Sequence, residues 1–93
     1  MYAVIRAYTG NPELADTLAE HEEDIRQLIG GIDGFKAYYL LKIKEGTSTI
    51  SVFEDQEGAD ESSRAAAAWL AENLPDQNVP TPYVTGGEVL VGF

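Results

Sequence analysis

A chain of 93 residues with a formal net charge of −10 and no cysteine is short enough for one domain over 1–93. It has no means to form disulfides, thiolate metal centres or a cysteine nucleophile, and its acidity repels a phosphate backbone. No apolar run approaches membrane-spanning length, and Met1-Tyr2-Ala3-Val4-Ile5-Arg6 lacks a basic region ahead of a long apolar core, so the expectation is a cytoplasmic protein that binds neither nucleic acid nor membrane.

Tyr2 to Tyr8, rich in β-branched and aromatic residues, is the first predicted strand, and Thr9-Gly10-Asn11-Pro12 stops it. Asn11 is placed to cap a helix with Pro12 at its first position. Leu14, Leu18, His21, Ile25 and Leu28 then recur at spacings of four and three, the apolar stripe of one amphipathic helix. Glu13 and Asp16 suit the positive end of its dipole, and Gly30-Gly31 ends it. Phe35 to Ile43 and Thr47 to Glu54, joined by Lys44-Glu45-Gly46, read as an antiparallel hairpin, with Gly46 supplying a positive φ where the turn needs one. Asp55 caps a second helix running to about Asn73. Its Ala65-Ala66-Ala67-Ala68 run leaves little side-chain bulk and lets the helix approach the sheet closely. A loop punctuated by Pro75, Pro80 and Pro82 leads to the last strand, Tyr83 to Phe93, in which Gly86-Gly87 reads as a bulge or bend. Most acidic residues fall in 13–24 and 54–61, read as solvated helix surface.

The order is β-α-β-β-α-β. It implies a ferredoxin-like α+β fold with an antiparallel sheet of order 4-1-3-2 and both helices on one face. The crossovers are expected to set strands one and three side by side, and parallel to each other, in the middle. Alternation puts Tyr2, Val4, Arg6 and Tyr8 on one side of strand one, opposed to Ala3, Ile5 and Ala7. In strand two Lys36, Tyr38, Leu40 and Lys42 oppose Phe35, Ala37, Tyr39, Leu41 and Ile43. In strand three Ser48, Ile50 and Val52 oppose Thr49, Ser51 and Phe53, and in strand four Val89, Val91 and Phe93 oppose Glu88 and Leu90. Apolar residues thus occur on both sides of most strands, whereas a sheet with water on one face alternates more cleanly. The helix-free face is expected to have a partner, most simply a second copy. So small a domain is marginal as a monomer, burying about two-thirds of its unfolded surface.

Tyr2-x-Val4-Ile5-Arg6-x-Tyr8, Gly34-Phe35-x-x-Tyr38, Ser51-Val52-Phe53-Glu54-Asp55 and an Ala-rich helix carrying Trp69 together resemble the dimeric α+β barrel superfamily. More closely, they are similar to its small antibiotic-biosynthesis monooxygenase-like proteins. The resemblance implies a homodimer whose two sheets close into a barrel, with a ligand cleft between sheet and helices in each subunit. Some members oxidise polycyclic aromatic substrates with molecular oxygen and no metal or flavin; others degrade haem, isomerise lactones or have no established activity. The quinone-forming members place an Asn one helical turn before the Trp, where this chain has Ala65. The haem-degrading ones have an Asn on the first strand and a His on the second helix. Here the first strand has no Asn, and the only histidine, His21, lies on the first helix, so haem degradation is disfavoured.

Five residues carry the candidate chemistry. His21 is the candidate base, its structural alternative being a histidine at the edge of the stripe paired with Asp24. The pair lacks the ligands for a metal site. Trp69 could wall a cleft for a planar ligand or simply pack with Ala66 and Leu70. Arg6, in a central strand, needs an anion: Glu54 or Glu88, or a ligand carboxylate or phenolate. Tyr38 could contact a substrate anion or hydroxyl and Phe53 its ring, although such aromatics also serve as core and interface anchors. Ser62 and Ser63 show no partners for a nucleophile. The enzymatic reading is a homodimeric, cofactor-independent monooxygenase acting on a small aromatic substrate. The alternative is a non-catalytic small-ligand-binding or stress-response protein of the same fold. Thr47 to Val52 lacks the basic-aromatic signature of an RNA-binding sheet, and a copper-chaperone reading fails for want of cysteine.

Overall fold

The computed structural model describes residues 1–93. The chain runs β1 (Tyr2–Thr9), α1 (Leu14–Glu20), α2 (Glu22–Gly30), β2 (Phe35–Ile43), β3 (Gly46–Phe53), α3 (Gln56–Asn73), a single 3-10 turn (Pro75–Gln77) and β4 (Tyr83–Glu88). The strands form one sheet in the order β2-β3-β1-β4, which is the expected order read from its other edge. Every neighbouring pair is antiparallel. This corrects the expectation that β1 and β3 run parallel. Each crossover skips one strand, so β1 shares its direction with β2, and β3 fills the gap between them. No helix is long and apolar enough to cross a membrane.

The predicted first helix is two helices. At His21 the backbone leaves helical geometry (φ −103°, ψ 27°), closing α1 and opening α2. The apolar stripe survives the break with one exchange: Leu14, Leu18, Ile25 and Ile29 are buried, while Leu28 is half-buried. Asn11 does not cap the helix. Its Oδ1 accepts the Glu13 N–H at 3.0 Å and its Nδ2 donates to the Gln77 carbonyl at 2.8 Å, which ties the loop after β1 to the loop after α3. Asp55 does cap α3, its Oδ1 accepting from the Gly58 N–H at 3.2 Å. Gly46 has φ +149°, and a Cβ there would lie 2.3 Å from the Tyr8 carbonyl oxygen, so this turn requires glycine.

Three further details differ from expectation. A register shift between Phe35 and Ala37 inserts an extra residue in β2, so Phe35 turns to the same side as Tyr38 and Leu40. The close approach of α3 comes from Gly58, Ala59 and Ser62, which are buried, and not from the alanine run, where Ala67 and Ala68 are exposed. At Gly58 a Cβ would meet Phe53 Cδ1 at 2.9 Å. β4 pairs with β1 without a register shift from Tyr83 to Glu88; Gly86 makes room for the Tyr2 ring, whose Cε1 would be 2.9 Å from a Cβ. β4 then stops at Glu88, and one more bond, Val89 N–H to the Met1 carbonyl at 2.8 Å, leads out of the sheet.

The helices cover one face of the sheet. Val4, Tyr8 and Phe53 from the strands join Leu14, Leu18, Ile25, Ile29, Ala59, Leu70 and Leu74 in one core. The register aligns Val4 with Ser51, Arg6 with Thr49 and Tyr8 with Thr47, so directly opposed residues place three hydroxyls on this covered side. On the open side Ile5, Tyr39 and Leu41 remain 39%, 59% and 37% exposed.

Candidate functional site

Arg6 is the centre of the covered face. It is only 2% exposed, because β1 is an interior strand and α3 lies above it. Its Nε donates to Thr49 Oγ1 at 3.2 Å and its Nη2 to Ser51 Oγ at 2.7 Å. Its Nη1 donates to Ser62 Oγ at 3.2 Å and Ser63 Oγ at 2.9 Å. Local sequence explains each partner. Thr49 is opposite Arg6 in the register and Ser51 is one pleat further, and the consecutive serines reach down from the turn of α3 that packs closest to the sheet. Ser62 also donates to the Ala59 carbonyl at 2.7 Å, which fixes its rotamer.

All four partners are neutral. The ion pair with Glu54 or Glu88 does not form: Glu54 instead meets Lys36 at 3.2 Å, and Glu88 is exposed on β4 opposite Tyr2. All but one of the guanidinium N–H groups are engaged, and the one left, on Nη2, has no protein acceptor. Burial draws the Arg6 pKa below its ordinary value, opposed by the Tyr8 and Tyr38 phenols. The same burial raises the pKa of Tyr8, and that of Tyr38 to about 12, against the pull of Arg6. Both phenols are therefore neutral O–H groups near pH 7, beside a buried cation.

Two adjoining cavities lie between sheet and helices. The smaller, about 30 Å³, is walled by Arg6, Tyr8, Tyr38, Thr49 and Trp69 together with apolar side chains. The larger, about 320 Å³, is walled mainly by Leu18, Ile25, Ile29, Phe35, Tyr38 and Leu40. Leu18, Ile25, Ile29 and Tyr38 line both. Glu22 and Arg26 also line the larger cavity; they pair with each other at 2.6 Å and are solvent-exposed. The larger volume lies at the lower end of the range for small-molecule sites, about 300–1,000 Å³, and shares their apolar character.

Three of the five sequence-chosen residues, Arg6, Tyr38 and Trp69, meet at the smaller cavity. Phe53 does not join them. It is fully buried and edge-on to Phe35, with ring centroids 5.8 Å apart at 75°, so it is core. His21 is outside the walls of both cavities. Its Nδ1 lies 3.4 Å from Asp24 Oδ2, and its ring meets Trp69 edge-on at 5.3 Å and 73°. The helix break at His21 thus braces the tryptophan. Sequence reasoning missed the hydroxyl shell of Arg6. The signal was present in Thr47, Thr49 and Ser51, which alternate along one side of a central strand. No three His, Asp or Glu side chains converge in a way that could hold a metal ion.

No protein-family model matches the sequence, and no curated protein matches it. Solved structures do. NE2512 of Nitrosomonas europaea, a protein of unknown function, aligns over 99% of this chain and 90% of its own, with 21% identity and a TM-score of 0.68. The heme-degrader MhuD of Mycobacterium tuberculosis, with two hemes bound in its active site, aligns over 100% and 99%, with 15% identity and a TM-score of 0.72. A mutant of SnoaB, a cofactor-independent oxygenase of Streptomyces nogalater, aligns over 98% and 94%, with 16% identity and a TM-score of 0.64. The chain has a ferredoxin-like α+β fold, which it shares with these neighbours. Among these neighbours that fold hosts haem degradation, oxygenation and an unassigned function, so it does not by itself select a reaction.

Proposed function

We propose that this protein is a homodimer, joined through the open sheet face, that holds a small aromatic molecule between its helices and sheet and oxidises it with molecular oxygen without a bound cofactor. The observation that carries the reading is the apolar cavity of about 320 Å³, which has room for a fused ring system and shares Tyr38 with the polar cluster around Arg6. The oxygenase SnoaB lends the reaction class. The homodimer rests on the apolar open face, whose Ile5, Tyr39 and Leu41 need a cover.

In this reading the ionised substrate is the reductant. An aromatic C–H of a naphthol, for example, becomes a quinone C=O; one atom of O₂ enters the product and the other leaves as water, which balances the electrons taken from the ring. The protein contributes positioning and a dry site. Arg6, Tyr38 and Trp69 are the proposed substrate contacts. His21, which reaches only Trp69 and Asp24, supports the tryptophan, and Phe53 supports the core beneath the helices. A second reading, a non-catalytic ligand-binding protein, is favoured by Ala65, which stands where the quinone-forming relatives carry Asn.

Oxygen uptake with a panel of naphthols separates the two. Enzymatic turnover gives one O₂ consumed per naphthoquinone formed. Saturable quenching of Trp69, the only tryptophan, without oxygen uptake selects the binding protein. The absence of both overturns the site.

A further inference from the structure

We infer that the ligand of this site is an anion, with one compact charged oxygen group seated on the free Nη2 N–H of Arg6 between the hydroxyls of Tyr8 and Tyr38. The inference rests on the cavity being a ligand site and adds the chemical class of the ligand.

The first argument is charge. The chain carries 16 carboxylate side chains against 6 lysines and arginines, yet no carboxylate pairs with its most deeply buried cation. Every hydrogen bond the Arg6 guanidinium makes goes to a neutral hydroxyl. Such hydroxyls orient a guanidinium but supply no countercharge, and a buried cation without one is costly to maintain. A protein rich in acids could supply a carboxylate from β3 or α3 at the positions of Thr49, Ser51, Ser62 or Ser63. In place of that it has a neutral shell, which holds the guanidinium in position and leaves its charge for something else.

The second argument is the neighbours. Tyr8 and Tyr38 wall the same small cavity as Arg6. Only desolvation and nearby charges perturb them, with no hydrogen bond from the protein among the causes. They bring two further O–H donors to the walls of the cavity that Arg6 lines. Donors without acceptors describe a receptor for an acceptor, and a charged one makes the strongest hydrogen bonds of this kind.

The third argument is size. A volume of about 30 Å³ is small, since about 10–15 Å³ of such space holds one water. It suits a compact group such as a phenolate oxygen or a carboxylate. The apolar body of the ligand then occupies the larger cavity across the shared walls Leu18, Ile25, Ile29 and Tyr38. The walls contain no carboxylate or imidazole at the Arg6 end that would compete with the ligand for the guanidinium or repel it. The strongly negative net charge does not prevent an anion from binding. Distant surface carboxylates are screened beyond about 8 Å at physiological salt, whereas Arg6 acts at contact.

Calorimetric titration of the whole protein with naphthoate and with its neutral isostere naphthamide tests the inference. The expected result is naphthoate binding at least ~10-fold tighter than naphthamide. Arg6→Gln is expected to abolish that preference while naphthamide binding persists. Equal affinities in the unmodified protein, or a preference that survives Arg6→Gln, would overturn the anion assignment and leave the cavity as an apolar ligand site. Binding of neither compound would overturn the site and the anion assignment together. The unmodified protein alone decides the question should the variant fail to fold.

Discussion

The two faces of this sheet depart from the usual division: the covered one sets a polar centre within its apolar core, and the open one is largely apolar. On the covered face, β1 and β3 bury Arg6, Thr47, Thr49 and Ser51 beneath the helices. On the open face the same pleats present Ile5, Ile50 and Val52, and β2 adds Tyr39 and Leu41. A sheet wetted on one side buries its apolar residues and exposes its polar ones. The departure bears on both faces. In the proposed dimer the apolar open face is the surface that meets the second copy. A polar covered face costs stability wherever it is incompletely satisfied, and in the proposed reading its polar groups serve the ligand, in keeping with the tendency of local rules to be broken at functional sites.

The contrast can be broken from either side. The largest effect is expected where the covered face is most like an ordinary core. Phe53 is fully buried, and Phe53→Ala should cost about 3–5 kcal/mol in urea denaturation; a cost under about 1 kcal/mol would mean that the helices do not pack as described. On the open face, Ile5→Glu combined with Tyr39→Glu places unpaired carboxylates in the proposed dimer interface. Sedimentation should show association weakened by at least two orders of magnitude in affinity, roughly 3 kcal/mol, with the folded subunit intact. An unchanged dimer would locate the contact elsewhere.

Smaller effects sharpen the picture. Thr47 is fully buried and its Oγ1 has no hydrogen-bond partner. Thr47→Val removes that orphan without changing shape and should stabilise the protein by about 1 kcal/mol, read as a higher midpoint in the same denaturation. The smallest effect is confined to strong base. Tyr38 has its pKa raised from 10.0 to about 12, so the native state holds this proton more tightly than the unfolded chain does. Its contribution to stability is complete below pH 10 and is lost as pH rises through about 12. In an ultraviolet titration of the folded protein, Tyr38→Phe should delete a late-ionising phenol; deletion of an early one would show Tyr38 to be exposed.

Much of this architecture was legible in the sequence because the cues are local. Turn residues and alternation mark the strands, Asp55 and its spacing to Gly58 mark the start of α3, and Gly46 marks the hairpin. What escaped depended on geometry between elements. The break at His21 is invisible to periodicity because His21 stays in phase with Leu18 and Ile25. The extra residue at the start of β2 moves Phe35 to the other face, where it meets Phe53 across the sheet, and no single-strand pattern reveals a slip set by a neighbour. The alanine run advertised a close approach that Gly58, Ala59 and Ser62 make instead. At the site, the sequence offered Arg6, Tyr38 and Trp69, which the fold brings together. It also offered Glu54 and Glu88 as partners for Arg6, and register sends both elsewhere.

The covered face as a binding site is tested most directly by a crystal structure of the protein grown with a saturating naphthol. The account predicts ligand density between α2 and β2 in contact with Leu18, Ile29 and Tyr38, with the hydroxyl oxygen directed toward Arg6. Cavities that remain empty at saturation, or a ligand bound only on the open face, would contradict it.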